Sequence, residues 1–148
     1  HQRVPFVKTL MKSVSNRAQQ RGQIRTLLGR LCRFHLWEPN RFGINKALPF
    51  EQAVQEHGQG NIRRAYTYKA LNKLIQGSAA DMTKKSMLDL YKEGIIAHIQ
   101  IHDELDLSVE SPEQAKKVVE IMENAVKLDV PNKVDYESGK NWGDIYDK

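Results

Sequence analysis

The chain has 148 residues, 40% hydrophobic and 28% charged, which is typical of one soluble globular domain. Its 23 Lys and Arg exceed its 18 Asp and Glu, so the formal charge is +5 and a polyanionic partner is favoured. The single cysteine, Cys32, excludes an internal disulfide framework and fits a reducing compartment. No run approaches the ~18 apolar residues of a membrane span, so we expect a cytoplasmic protein with no membrane partner.

The first predicted region, residues 1–37, is a basic helix followed by a β-hairpin. Apolar residues at helical spacing predict a helix over 3–21, which Gly22 ends. Strands over 23–28 and 31–37 are predicted around Gly29 and Arg30. Residues 1–46 contain one acid, Glu38, so this part can hold phosphates, although an evenly solvated basic surface remains an alternative. The cations are Arg3, Lys8, Lys12, Arg17, Arg21, Arg25, Arg30, Arg33, Arg41 and Lys46.

The second predicted region, residues 38–60, is a loop or insertion. Its apolar period is lost and glycines and prolines punctuate it, so we expect about one helical turn, over 50–57. The third region, residues 61–148, begins with a helix predicted over 61–92 and ended by Gly94. Gly77 and Ser78 interrupt this pattern, which predicts a bend.

An acidic β-hairpin is predicted next. Ile95, Ala97, Ile99 and Ile101 alternate with other residues, and the same period resumes after the sequence Ile-His-Asp-Glu-Leu of residues 101–105. Two adjacent carboxylates at a turn supply the hard oxygen ligands that Mg²⁺ or Mn²⁺ prefers. Taken alone, such a pair is more often a solvated acidic turn than a metal site.

The C-terminal part is predicted to contain one helix and one strand. Ser111 is a predicted N-cap, Pro112 takes the first helical position, and the apolar stripe continues to about residue 128. A final strand is predicted over 133–137. The whole pattern predicts an α+β domain in which long helices back an antiparallel β-sheet.

Two motifs in this order resemble the palm of the family A DNA polymerases, of the bacterial polymerase I and phage replicative type. The helix motif is Gln-Gly-Ser-Ala-Ala-Asp at residues 76–81, and the hairpin motif at 101–105 follows about twenty residues later. Residues 21–30 are similar to the family's Gly-Tyr-Val-x-Thr-Leu-x-Gly-Arg-Arg segment, with Gln23 in place of the aromatic residue. Asn141, Trp142 and Gly143 resemble the chain terminus of phage members.

The resemblance implies the C-terminal part of a polymerase palm and fingers region, with residues 1–37 at the fingers/palm junction and residues 61–148 in the palm. The implied activity is template-directed DNA synthesis, in which two metal ions assist nucleotidyl transfer to a primer 3′ hydroxyl. Asp103 takes the position of a catalytic metal ligand, and Glu104 that of its weaker neighbour. Asp81 is expected to cap or pair within the domain.

Several DNA contacts follow from the same resemblance. His102 is expected to touch the primer strand, and Arg30 the primer or the incoming nucleotide. Gln76 and Asn72, one helical turn apart, would donate to minor-groove acceptors that every base pair presents. The small residues after Gln76 would allow close approach to the duplex, and Tyr68 replaces an arginine common in bacterial members. The basic helix and hairpin, independently of the resemblance, predict phosphate contacts from several of Arg17, Arg21, Arg25, Arg30 and Arg33.

The family's first catalytic motif and its fingers helix are not found in this sequence. Two Mg²⁺ or Mn²⁺ ions would therefore be shared with a carboxylate outside the chain, and we expect a segment that is inactive without an N-terminal polymerase part. The start at His1 also suggests a fragment or processed product. The expected partners are primer–template DNA, deoxynucleoside triphosphates and that N-terminal part, in a bacterial or phage-infected cell. The alternative is a non-catalytic module that binds nucleic acid or assists assembly.

Overall fold

The computed structural model describes residues 5–43 and 45–146, in two compact units that divide between Asp81 and Met82. Over these residues, the chain forms helices and three two-stranded antiparallel sheets, so the predicted α+β class is confirmed. The predicted start of the first helix at residue 3 lies outside the described residues. Within the described ranges, no helix is both long and apolar enough to cross a membrane.

The first unit begins with helix α1, Pro5–Arg21, and a hairpin of strands β1, Gln23–Arg25, and β2, Leu31–Arg33. These elements confirm the predicted helix and hairpin, although the strands are shorter than predicted. Gly22, with φ +68°, ends the helix and donates its N–H to the carbonyl of Ala18. The helix and hairpin share a small apolar core, which contains Val14, Ala18, Ile24, Phe34 and Ala70.

The segment predicted as a loop over 38–60 is more ordered than expected. Strand β3, Trp37–Pro39, precedes helix α2, Phe50–His57, which makes two turns where one was predicted. A 3₁₀ turn, Gln59–Asn61, leads into strand β4, Ile62–Arg64, which pairs antiparallel with β3. The Trp37 ring contacts Phe50 at 5.0 Å between centroids, so α2 packs on the strand.

Arg64, at the end of β4, connects three parts of the first unit. Its guanidinium lies 4.5 Å from the centre of the Trp37 ring. Its Nε donates to the carbonyl of Gln19 at 3.2 Å, and its Nη1 donates to that of Phe34 at 2.9 Å. A single side chain therefore joins α1, the chain after β2, and β3.

The long helix was predicted to begin at residue 61, and this boundary is wrong. Helix α3 is Ala70–Lys92, preceded by a 3₁₀ turn, Thr67–Lys69. Residues 62–64 form β4 instead, because β3 offers them backbone partners, and Tyr66 has φ +61°, outside the right-handed helical region. The helix continues through Gly77 and Ser78 without interruption.

The second unit contains the rest of α3 and a hairpin of strands β5, Ile99–Ile101, and β6, Glu104–Asp106. Helix α4, Pro112–Asn124, begins as predicted, since the Ser111 hydroxyl accepts from the N–H of Gln114 at 3.2 Å. It ends at Asn124 rather than near residue 128. A short helix, α5, spans Gly143–Tyr146.

The strand predicted over 133–137 is wrong, because these residues are irregular. Side chains of α4 hold this segment instead of a strand partner. Glu123 accepts from the N–H of Val134 at 3.2 Å and lies 3.5 Å from the ammonium of Lys133. Alternating apolar residues predict a strand only where a neighbouring strand is available, and the hairpin of this unit is paired only within itself in the described part.

Candidate functional site

The predicted acidic hairpin forms, with its acids at the tip. Ile101 pairs with Glu104, so His102 and Asp103 are the two residues of the turn. His102 has φ +52°, a region in which histidine occurs more often than most residues. Gln100 donates its side-chain amide to the His102 carbonyl at 3.0 Å. His102, Asp103 and Glu104 are all exposed.

Apolar side chains on one face of the acidic hairpin and the chain after it pack against a buried cluster. Leu105 and Leu107 alternate with polar residues along the chain after the turn, so both point to the same face. They pack, together with Val109, against a buried cluster of Leu90, Ile95 and Val118. The acids are therefore presented to solvent by a hairpin that is anchored in an apolar core.

The hairpin places two carboxylates next to each other in the sequence. Asp103 and Glu104 are adjacent exposed carboxylates, and hard oxygen ligands of this kind suit Mg²⁺ or Mn²⁺. Within residues 5–43 and 45–146, no group of three His, Cys, Asp or Glu side chains is gathered closely enough to hold an ion. The chemistry of these two side chains suits a divalent cation, but among the described residues they do not form a complete ligand set.

Arg30 and Asp81 form an ion pair in the first unit. Arg30 Nε lies 2.7 Å from Asp81 Oδ1, and Arg30 Nη2 donates to the carbonyl of Gly77 at 2.8 Å. The Asp81 side chain is only 6% exposed, whereas that of Arg30 is 47% exposed. The prediction that Asp81 pairs within the domain is confirmed, and Arg30 combines an anchored guanidinium with a solvent-facing surface.

The turn of the first hairpin lies directly on helix α3. The N–H of Leu27 donates to the Ser78 hydroxyl at 3.0 Å. A Cβ atom added to Gly77 would lie 2.8 Å from Cγ2 of Thr26, closer than real carbon atoms approach. Thr26 is itself fixed, because its hydroxyl accepts from the N–H of Arg30 at 3.0 Å. Gly77 and Ser78 were predicted to let DNA approach the helix closely. In the structure, their small side chains make room for the turn of the first hairpin.

Asn72 and Gln76 lie on one face of α3, one turn apart, and both are exposed. Just before them, Lys69 Nζ lies 5.3 Å from the Tyr66 ring centre and 5.6 Å from that of Tyr68. Tyr68 occupies the position at which the family resemblance predicts an arginine. The ammonium group of Lys69 lies next to the Tyr68 ring.

Two of the other predicted phosphate contacts, Arg21 and Arg25, are exposed in the first unit. Arg21 is the last residue of α1. Arg25, on β1, donates through Nη1 to the carbonyl of Gly29 at 2.8 Å, which directs it along its own hairpin. The first unit therefore contains all the predicted arginine contacts, together with Asn72 and Gln76, whereas the second contains His102, Asp103 and Glu104.

Sequence reasoning missed the residues that hold the first hairpin. Thr26 was not singled out, Ser78 was assigned to a bend and to DNA approach, and no pattern in the chain joins residues separated by about fifty positions. Only the position of Gly77 inside an otherwise regular helix signalled that another backbone or side chain approaches closely.

Comparison with known proteins supplies the family. The family model described as DNA polymerase family A matches residues 1–144. A DNA-directed DNA polymerase of Pseudomonas phage M6 is 38% identical over 95% of this chain and 18% of its own length. DNA polymerase I of Bacillus caldotenax is also 38% identical, over 95% of this chain and 15% of its own. The chain thus spans less than a fifth of these relatives.

A solved structure shares the fold. It is the POL domain of Pol1 from M. smegmatis in complex with DNA primer–template and dNTP, with a TM-score of 0.58 and 30% identity. The match covers 84% of this chain and 20% of the other. The predicted family is confirmed by these comparisons: the chain belongs to DNA polymerase family A.

Proposed function

We propose that this chain is the C-terminal catalytic segment of a template-directed DNA polymerase, which extends a primer 3′ hydroxyl with deoxynucleotides. The observation that carries the proposal is the turn that exposes Asp103 and Glu104 in a chain of this family. Its relatives are bacterial and phage polymerases, and the solved relative contains primer–template DNA and dNTP. We therefore propose these ligands, and the bacterial or phage-infected cytoplasm, for this chain as well.

Asp103 and Glu104 would hold Mg²⁺ or Mn²⁺ together with a carboxylate outside this chain. When two such ions are bound, they act as Lewis acids that stabilise the attacking and leaving oxygens of nucleotidyl transfer. Successive side chains of a strand point to opposite faces, and Glu104 is the first residue of β6. Both side chains therefore cannot face one ion equally, and we propose Asp103 as the principal ligand and Glu104 as the weaker one, as the family resemblance implies.

The remaining site residues position DNA. His102, beside the carboxylates, would donate from its imidazole to the primer strand. Gln76 and Asn72 would donate to minor-groove acceptors, which are nearly alike for every base pair. Such contacts check the shape of a base pair without reading its sequence.

The basic side chains of the first unit would hold the DNA backbone. Arg21 and Arg25 are exposed, and guanidinium groups bind phosphate well. Arg30 has a second task, because its bond to Asp81 fixes the hairpin turn on α3. We propose that it contacts the primer or incoming nucleotide with its exposed side. The rest of the polymerase, as a longer chain or a separate subunit, would complete the site.

The catalytic assignment is tested by primer extension in the complete polymerase. We expect Asp103→Asn to reduce extension on the order of 10²–10³-fold, since several kcal/mol of transition-state stabilisation is lost. Glu104→Gln should reduce it less, and Asp129→Asn, at another exposed acid, should not change it. Affinity for primer–template should stay within about twofold in all three. The 148-residue chain alone should not extend a primer.

Full extension by Asp103→Asn would exclude a catalytic role for this turn and leave the non-catalytic module as the better interpretation. A larger loss in Glu104→Gln than in Asp103→Asn would exchange the two roles. Extension by the isolated chain would contradict the incomplete-site proposal.

The DNA-binding assignment is tested by titrating labelled primer–template at several salt concentrations. We expect Arg25→Ala to lower the slope of log affinity against log salt by about 0.9, as for one lost phosphate contact. Gln76→Ala should leave the slope unchanged and cost about 1–3 kcal/mol in extension from a correctly paired terminus. Gln52→Ala, an exposed amide on α2, is the matched control for Gln76. A flat salt response of the wild-type chain would contradict the proposed phosphate contacts.

A further inference from the structure

The loop between β3 and Leu48, which the structure describes at residues 40–43 and 45–47, contains the most exposed aromatic side chain in the described part of the protein. Phe42 has 106% of its reference accessible surface, so its ring touches nothing else in the structure. Arg41 precedes it and Lys46 follows, and residues 40–50 contain no acid. An isolated exposed apolar residue is ordinary, but a fully exposed ring between two cations is a specific combination.

The base of this loop is fixed. Trp37 and Leu48 exchange two backbone hydrogen bonds, each 2.8 Å long, which close the loop at its mouth. Leu48 is 5% exposed, and the Trp37 ring is held between Phe50 and the Arg64 guanidinium. The two ends of the loop therefore start from a packed support.

The loop also satisfies backbone groups internally. The N–H of Arg41 donates to the carbonyl of Pro39 at 2.8 Å. The Asn45 amide donates to the carbonyls of Arg41 at 3.2 Å and Gly43 at 3.3 Å. These bonds tie the backbone on both sides of Phe42 to the loop itself and leave the ring in solvent.

We propose that the 40–47 loop binds single-stranded DNA, with a base stacked on Phe42 and flanking phosphates neutralised by Arg41 and Lys46. Aromatic rings and cations together are what sequence-tolerant single-strand binding uses, because every base has a π-face and every nucleotide a phosphate. The inference rests on the proposed function in taking DNA as the ligand. It adds a contact on a segment for which the family resemblance assigned no role.

Single-stranded DNA fits this loop better than other ligands. In a duplex, each internal base is covered on both faces by its neighbours, so a protruding ring finds no partner without unstacking them. A protein partner would require a larger apolar surface than one phenylalanine ring provides. Cations close to the ring in the sequence, Arg41 and Lys46, instead match a ligand that alternates bases with phosphates.

The proposal is tested with the 148-residue chain by fluorescence anisotropy, using labelled (dT)₁₂, a 12-mer of abasic nucleotides and a blunt-ended duplex. Phe42→Ala should weaken (dT)₁₂ binding about 5- to 150-fold, the range for losing one stacked base. Its affinity for the abasic strand and the duplex should change less than twofold. Phe42→Trp should keep (dT)₁₂ affinity, and Tyr91→Ala, at an exposed aromatic in the second unit, should match the wild type.

The cations are tested separately. Arg41→Ala and Lys46→Ala should each weaken binding to both the (dT)₁₂ and abasic strands and lower the salt slope. Folding is checked by circular dichroism melts, which should coincide for Phe42→Ala and the wild type because the ring makes no contacts.

The outcomes distinguish this inference from the proposed function. Unchanged (dT)₁₂ affinity of Phe42→Ala, with salt-dependent duplex binding intact, would overturn the loop site alone. Failure of the wild-type chain to bind any of the three DNAs would overturn the loop site, whereas the proposed function is decided by primer extension in the complete polymerase. Unchanged DNA binding with a Phe42-dependent change in the sedimentation of the chain would assign the loop to protein contact and also overturn the proposal.

Discussion

The two hairpins of this chain are anchored in different ways. The first, β1–β2, shares an apolar core with α1 and the start of α3, and its turn is in addition fixed on α3 by polar contacts through Arg30, Asp81 and Ser78. The second, β5–β6, is held by apolar side chains on its strands and leaves its turn to solvent. The first turn is thus a structural joint, whereas the second presents its polar groups outward. We therefore expect substitutions of polar residues to lower stability at the first turn, where these residues bond to α3, and to have little effect at the second turn, where they face solvent.

The apolar anchor of the second hairpin should respond most strongly to a single change. Leu90 is fully buried in the cluster under the hairpin, so Leu90→Ala should lower the free energy of unfolding by about 2–5 kcal/mol through lost burial and a cavity. Leu88→Ala, at a 49% exposed position of the same helix, should stay within about 0.5 kcal/mol. Urea denaturation followed by circular dichroism measures both. Similar losses in the two variants would refute the apolar anchor.

The joint of the first hairpin should be sensitive to a single methyl group. Gly77→Ala would gain about 1 kcal/mol of helix propensity, but its Cβ would lie 2.8 Å from Thr26 Cγ2, so we expect a net loss of about 1–3 kcal/mol. Thr26→Ser removes that methyl group and keeps the hydroxyl. In the Thr26→Ser background, Gly77→Ala should therefore be neutral or stabilising in thermal melts. A loss of the same size in both backgrounds would show that the methyl contact is not its cause.

The smallest expected effect concerns an ion pair outside both anchors. The side-chain hydrogen bond from Lys85 lowers the pKa of Asp89 below its ordinary value of 3.8, although desolvation opposes the shift; the charges of Lys85 and Lys92 also lower it. Because the folded pKa is depressed, the stabilisation is present above pH 3.8 and disappears as the pH falls through the lowered value. An NMR titration of the Asp89 carboxyl should give a pKa below 3.8.

Lys85→Gln should return the pKa of Asp89 towards 3.8, whereas Lys84→Gln, at the neighbouring exposed lysine, should leave it unchanged. Equal pKa values in the wild type and Lys85→Gln would exclude the pairing.

The helices and both hairpins were predictable because they depend on local pattern. The Ser111 cap and the turn at His102 and Asp103 were identified directly from the residues around them. The boundary at residue 61 was not, since β4 exists only through pairing with β3. The joint of Thr26, Gly77 and Asp81 likewise depends on contacts between distant positions, which a single sequence does not display.

In the candidate site, the adjacency of Asp103 and Glu104 and the shared face of Asn72 and Gln76 follow from sequence spacing alone. The ion pair of Arg30 with Asp81 does not follow from sequence spacing, because the two residues are 51 positions apart. Whether these residues bind metal and DNA remains a proposal, and the substitutions described above test it.

The contacts of Arg64 hold together the two ends of the segment between Trp37 and Arg64. With Trp37 paired to Arg64 and the guanidinium bonded to the carbonyls of Gln19 and Phe34, the ends of the intervening segment are fixed in place. Each doubling of the length of a flexible loop closed in this way costs only ~0.6 kcal/mol of chain entropy. The connections of this segment that lie outside β3, α2 and β4 can therefore change in length with little effect on α1 and the first hairpin, which makes them suitable positions for acquiring new binding functions.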